Sequence, residues 1–280
     1  MIYLDNAATT KADQDVIDSF VKVNQSLYFN PNSPHQAGLQ AEQVLKQAKE
    51  EIDSVLNLNH LYHIVFTSGA TESNNMALKG IAYRKRETAN EIITSVLEHP
   101  SVLEVMRYLE EKQGFKLKYV DVKSDGKIDT EHLKSLMSDK VGLVTCMYVN
   151  NIMGQIQPIQ DIVNILKDYP RAHLHVDAVQ ALGKVSMNLN GVDSLSLSGH
   201  KFNGLKGQGL LIIKNIQTIE PVVHGGGQEY GLRSGTVNLP MAVSMVKSIK
   251  LTMGRLDEAS RKLIKMNQSV RTFLEEFRGV

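Results

Sequence analysis

Along the first two-thirds of the chain, short apolar runs alternate with amphipathic stretches. Between residues 41 and 56 the apolar positions Val44, Leu45, Ala48, Ile52, Val55 and Leu56 recur near helical spacing and predict a helix. The apolar run 63–67 is closed by Ser68-Gly69-Ala70-Thr71 and predicts a short buried strand. The pattern continues with helices over 72–84, 100–109 and 129–137 and strands over 91–96 and 116–120. Residues 141–149 form the longest apolar run, β-branched enough for a central strand. A helix is predicted over 158–167 with Pro158 in its first turn, and strands over 172–176, 194–197 and 209–213. This alternation predicts an α/β fold: a mostly parallel central sheet with helices on both faces. After the glycine-rich stretch 224–235, residues 240–277 read as helical, a long connecting helix leading into a second unit that is incomplete at Val280. The expected division is a large domain over 13–245 and a partial small domain made of 1–12 and 246–280.

Composition changes this picture little. At 280 residues the chain can bury a sizeable core, and 42% hydrophobic with 22% charged residues is ordinary for a globular protein. Lys plus Arg number 31 against 30 Asp plus Glu, so a net charge of +1 gives no electrostatic reason to expect nucleic acid or a membrane surface as partner. No apolar run approaches the ~18 residues of a membrane span, and Met1 to Asn6 carries no signal-peptide pattern. The single cysteine, Cys146, excludes a disulfide within the chain and fits a cytoplasmic location.

In an open α/β sheet, ligands bind at the carboxyl ends of the strands. The unusual polar residues fall at those ends. Thr67-Ser68-Gly69-Ala70-Thr71-Glu72-Ser73 takes a strand through a small-residue turn into a helix. Free N–H groups there suit a phosphate, and the stretch equally suits an ordinary cap. His99, in Leu97-Glu98-His99-Pro100, begins a helix; its ring could lie on a flat aromatic cofactor and shuttle protons, or have no such role. Asn150-Asn151, with Gly154, suits a substrate carboxylate or a phenolic oxygen, or is a plain turn. Asp177 follows a buried strand, where a carboxylate needs a cation or several hydrogen bonds. A protonated pyridine nitrogen would serve, and a helix cap is the ordinary alternative. Ser198-Gly199-His200-Lys201 ends another strand. A desolvated lysine forms an imine with a carbonyl cofactor. A solitary lysine would simply be solvated, but Ser198 and His200 can hold a phosphate and Asp177 lies on a preceding strand end. The stretch 224–236 reads by composition only as a flexible loop.

These pieces form one ordered set: phosphate turn, stacking histidine, amide, acid, lysine. The stretches Tyr3-Leu4-Asp5-Asn6-Ala7-Ala8-Thr9-Thr10, Thr67-Ser68-Gly69-Ala70-Thr71-Glu72-Ser73-Asn74-Asn75, Glu98-His99, Val149-Asn150-Asn151, His175-Val176-Asp177-Ala178, Ser198-Gly199-His200-Lys201 and Arg233-Ser234-Gly235-Thr236 closely resemble the cysteine desulfurases. These are pyridoxal-phosphate enzymes of the class V aminotransferase group, with a fold type I large domain. The resemblance covers essentially the whole chain. It implies that Lys201 carries the cofactor as a Schiff base, that Asp177 pairs with the pyridinium nitrogen, that His99 stacks on the ring and that Gln180 bonds its phenolic oxygen. Ala70 and Thr71 (through backbone N–H), Ser198 and His200 would bind the phosphate. Thr236 would reach the phosphate of a neighbouring subunit, so a homodimer is implied. Asn151 would help hold the substrate carboxylate, Lys201 and His99 would move protons, and no metal is involved. The implied reaction takes L-cysteine to L-alanine and passes sulfur to an acceptor protein for iron–sulfur clusters or thionucleosides.

The match has departures. Cysteine desulfurases attack the substrate sulfur with a cysteine on a mobile loop that lies, like an arginine used for the substrate carboxylate, in a region beyond Val280. Cys146 sits inside the apolar run 141–149, where a thiol is packing. Ile152 stands where the family usually has Glu after the two Asn. The chain is therefore expected to be a truncated or natural short form that binds the cofactor without useful desulfuration. Two other readings keep the cofactor: a selenocysteine lyase or other class V enzyme, and a non-catalytic remnant that holds a partner.

Overall fold

The computed structural model describes residues 2–277; Met1 and residues 278–280, assigned from sequence to the small domain, lie outside the described residues. Seven strands form one sheet: β1 (His63–Thr67), β2 (Glu91–Ser95), β3 (Lys116–Val120), β4 (Val141–Met147), β5 (His173–Asp177), β6 (Ser194–Ser198) and β7 (Gly209–Ile213). Their order is β1-β7-β6-β5-β4-β2-β3. Only β7 runs against the rest, pairing antiparallel with both β1 and β6. The predicted mostly parallel sheet is what forms.

Burial explains the order. Every residue of β2, β4, β5, β6 and β7 is buried, as strands covered on both faces must be. β3 lies at an edge and keeps Lys116 and Tyr119 exposed. On one face α3 (Ala70–Lys85) and α4 (Pro100–Gln113) bury Met76, Ile81, Val102 and Met106 against Ile92, Leu143 and Leu211. On the other face lie α2 (Gln36–Val55), α5 (Thr130–Leu136), α6 (Ile159–Leu166) and α7 (Leu239–Gly254). There Ile52, Leu133, Ile162 and Ile249 pack with Ile93, Val144, Leu174 and Leu195. No described helix is long and apolar enough to cross a membrane.

Two helical features depart from the sequence reading. The helix α1 (Gln14–Ser26) is not among the predicted elements, although Val16, Ile17, Phe20 and Val23 recur at helical spacing; it buries only Val16 fully and packs along α7. The expected long helix over 240–277 is broken at Arg255 into α7 and α8 (Leu256–Glu275). α7 buries one face down to Ile249, and its Ser248 and Thr252 hydroxyls both donate to the Phe202 carbonyl, at 2.8 and 2.9 Å. α8 buries no residue and leaves Leu263, Ile264, Val270 and Phe273 exposed.

Candidate active site

A cavity of about 820 Å³ opens at the carboxyl ends of β2, β4, β5 and β6 and the start of α3. Ala70, Thr71, His99, Asn151, Asp177, Gln180, Ser198, His200 and Lys201 all line it. Nine of the ten residues singled out from sequence are thus brought together. The tenth, Thr236, lies in an adjoining cavity of about 230 Å³ with Phe66, Ser68, Arg233 and Asn238.

Backbone geometry places the groups. β1 turns at Gly69, whose carbonyl begins α3, and no side chain caps that helix start. The first-turn N–H groups of Ala70 and Thr71 therefore face the cavity with the helix dipole behind them. Gly209 of β7 lies so close beneath this turn that a Cβ there would stand 2.5 Å from Gly69 Cα. At the end of β6 a single 3₁₀ turn, Gly199–Lys201, swings His200 and Lys201 into the cavity. A side chain at Gly199 would meet Gln208 Oε1 at 2.8 Å, so the tight turn needs glycine by close approach. His99 caps α4: its Nδ1 accepts from the Ser101 N–H at 3.1 Å and meets Ser101 Oγ at 2.9 Å.

Two buried carboxyl groups face each other across the strand ends. Asp177 Oδ2 accepts from Asn74 Nδ2 at 2.9 Å and Oδ1 from the Val179 N–H at 3.1 Å. Burial raises its pKa, and the two hydrogen bonds with the nearby charges of His99 and Lys201 oppose that rise. Glu98 takes one short bond, from the Met147 N–H at 2.6 Å, and its Oε2 has no partner. Burial, then the charge of Asp177, pushes Glu98 up to about 8. Glu98 therefore keeps a proton at neutral pH, while the two donors and the nearby cationic groups favour the ionised form of Asp177.

Lys201 is held below its ordinary pKa by desolvation, partly opposed by Asp177 and Asp5. Its Nζ donates to the carbonyls of Ala7 and Ala8, at 2.7 and 2.8 Å. Gln180 Nε2 also donates to Ala7, at 2.8 Å, and His200 Nδ1 meets Thr9 Oγ1 at 3.1 Å. The N-terminal segment thus forms one wall of the cavity. Lys184 donates to Gln180 Oε1, and burial followed by the charge of Lys201 brings it down to about 8.

Four groups at or beside the site went unread from sequence: Asn74, Ser101, Lys184 and Lys206. Asn74 stood inside the Thr67 to Asn75 motif, and its spacing from Gly69 was the only signal. Lys184 follows Gln180 by four residues, but in a turn region where that spacing carries no meaning. Three further observations bear on the sequence reading. The stretch 224–236 is pinned: Glu229 accepts from the Phe66 N–H at 2.8 Å and pairs with Lys49 at 3.0 Å, and Arg233 bonds Glu72 at 2.8 Å. Cys146 is fully buried, donates to the Met147 carbonyl at 3.2 Å, and is pushed far up in pKa by burial and then Glu98. Ile152, next to Asn151, is 87% exposed and does not line the cavity, so the missing Glu would have been a surface charge.

Comparison with known proteins settles the family. The model of the class V aminotransferases matches residues 2–280. The chain belongs to that family. A cysteine desulfurase IscS of Dictyoglomus turgidum is 38% identical over 267 residues, covering 95% of this chain and 67% of that one. A solved NifS-like protein superposes with a TM-score of 0.93 at 40% identity, covering 98% of this chain and 76% of that one. A structure described as SspA in complex with cysteine gives a TM-score of 0.83 at 36% identity, covering 89% and 72%. The chain thus spans about two-thirds to three-quarters of the length of these relatives. Class V enzymes use pyridoxal 5′-phosphate, and the residues present fit it. A buried acid that needs a cation, a desolvated lysine, a histidine ring and an uncapped helix start all face one cavity.

Proposed function

We propose that this chain binds pyridoxal 5′-phosphate in the 820 Å³ cavity and provides the cofactor site of a cysteine desulfurase, which converts L-cysteine to L-alanine and passes the sulfur to an acceptor protein. The observation that carries this reading is the buried Asp177 carboxylate, facing the same cavity as Lys201 and the open start of α3. When bound, the cofactor supplies an electron sink for charge developing at the substrate α-carbon.

The chain's own residues do the rest. Asp177 would present its carboxylate to the ring nitrogen and His99 would cover the ring. Gln180, its Oε1 occupied by Lys184 and one Nε2 proton by the Ala7 carbonyl, would turn its other Nε2 proton to the phenolic oxygen. Ala70 and Thr71 N–H, Ser198 and His200 would take the phosphate. Lys201 Nζ would hold the cofactor covalently and, as a free amine, would move a proton at the substrate α-carbon. Asn151 would hold the substrate carboxylate. Thr236, outside the cavity, reaches a second subunit's phosphate, which makes a homodimer part of the proposal. A cytoplasmic setting and a role in iron–sulfur cluster assembly belong to the same reading.

Sulfur transfer needs an accessible thiolate, and Cys146 is not one. The 280-residue chain is therefore expected to bind the cofactor and to show a changed visible spectrum on addition of L-cysteine, with no catalytic sulfide release. Sulfide release abolished by Cys146→Ala would contradict this assignment. A lyase of selenocysteine is the alternative reading of the same site. Turnover of selenocysteine but not cysteine by the same protein would decide for it.

A further inference from the structure

Asn74 lies on the second turn of α3, fully buried, and the proposed reaction gives it no part. Its amide nevertheless ties α3 to β5 and α4. Nδ2 donates to Asp177 Oδ2 and to Ser101 Oγ, both at 2.9 Å, and Oδ1 lies 3.0 Å from His175 Nε2.

The bond directions follow from geometry around Asn74. Asp177 accepts the Val179 N–H on Oδ1 and Asn74 Nδ2 on Oδ2, so the amide turns its Oδ1 toward His175. Oδ1 requires a donor, which places the proton of His175 on Nε2, whose other neighbour, the Ser196 hydroxyl, lies farther off at 3.3 Å. His175 is neutral, burial having lowered it to about 3, so its Nδ1 accepts the Ser194 hydroxyl proton at 2.8 Å. Ser194 Oγ in turn accepts from His173 Nε2 at 2.8 Å; burial holds that ring neutral too. All these groups are buried, and each bond points its proton toward Asp177. Aligned buried bonds of this kind polarise one another.

The second arm reaches His99. Ser101 Oγ accepts from Asn74, so its own proton goes to His99 Nδ1 at 2.9 Å. The Ser101 N–H donates to the same atom. With Nδ1 accepting, a neutral His99 carries its proton on Nε2.

We propose that Asn74 is the positioning residue of this site, orienting the Asp177 carboxylate directly and setting the direction of the buried His175–Ser194–His173 chain behind it. The role of Asp177 toward the cofactor rests on the function proposed above; the bond directions do not. Without Asn74, Asp177 would keep only the Val179 N–H as a hydrogen-bond donor, and His175 Nε2 could turn to the Ser196 hydroxyl, 3.3 Å away.

The test is ¹⁵N-histidine NMR on the 280-residue protein, read first without and then with pyridoxal phosphate. The parent should show His175 neutral with its proton on Nε2. In Asn74→Ala, His175 should lose its single tautomer, and the cofactor Kd should rise about tenfold or more, as expected when a buried charge loses one hydrogen bond. Ser101→Ala, which keeps the Asn74 bonds to Asp177 and His175, should leave the His175 tautomer unchanged. A parent His175 protonated at Nδ1 would overturn the proposal. So would an Asn74→Ala protein that binds the cofactor within about twofold of the parent. Should Asn74→Ala not fold, the parent His175 tautomer decides. A parent that binds no cofactor would sink the proposed function while leaving the tautomers readable.

Discussion

Glu98 and Asp177 meet the same desolvation and end in opposite states, because their hydrogen bonds differ. Asp177 has donors on both oxygens and Lys201 nearby, whereas one oxygen of Glu98 has none. The consequence for stability has a definite sign. Glu98 has a folded pKa of about 8 against an ordinary 4.5, so folding takes up a proton between those values. The protonated group costs nothing below pH 4.5, and stability is lost as pH rises from there to about 8. Glu98→Gln, which mimics the protonated acid, should therefore be more stable than the parent at pH 8 by on the order of a few kcal/mol, at about 1.4 kcal/mol per pKa unit, with the difference closing near pH 4. Thermal unfolding against pH checks this, and a pH-independent difference would contradict it. At this scale the sequence was informative wherever a residue type is chemically unusual for its place, as with Asp177 and Lys201. Asn74 and Lys184 escaped because their roles depend on partners supplied by folding: Asn74 meets Asp177 across 103 positions, and Lys184 acts only through Gln180.

The start of α3 matters more to the site than any helix interior. Its N–H groups are open because the N-cap, Gly69, has no side chain to cap them, and Gly209 holds that turn by close backbone packing. Gly209→Ala should force that turn outward, destabilising the protein by about 1–3 kcal/mol, and should weaken cofactor and inorganic phosphate binding together. Gly254→Ala, where an added Cβ meets nothing within 4 Å, is the control and should leave binding unchanged without destabilising the protein. Denaturant titration and phosphate competition measure the two effects. Elsewhere, elements were legible in proportion to burial. The buried strands were read from their apolar runs, whereas α1 was missed although Val16, Ile17, Phe20 and Val23 give it an apolar face at helical spacing. The break at Arg255 was not legible, since no Pro or Gly forces it; the preceding Gly254 only permits it. We propose that α8 belongs to a separate unit from the sheet. Trypsin should cut first at Arg255 or within α8, leaving a folded product. The Arg255 to Asp13 ion pair at 2.8 Å is half-exposed and offers little resistance. First cleavage within 224–236 would contradict the anchoring of that stretch by Glu229 and Arg233.

Over the whole molecule, alternating strands and helices implied the sheet, and the rule that ligands sit at strand ends implied where the chemistry lies. Chain order could not show that the N-terminal segment, read as part of the small domain, walls the cavity and bonds Lys201, Gln180 and His200. Nor could it show that three lysines crowd one site: Lys201 and Lys206 line the cavity, and Lys184, brought down to about 8, stands behind Gln180. That crowding sharpens the central claim. The protein loaded with pyridoxal phosphate should be reduced with borohydride, digested and analysed by peptide mass spectrometry. The cofactor's mass is expected on the peptide carrying Lys201 and is lost in Lys201→Ala. The same mass on Lys184 or Lys206 in the parent, or on no peptide at all, would contradict it.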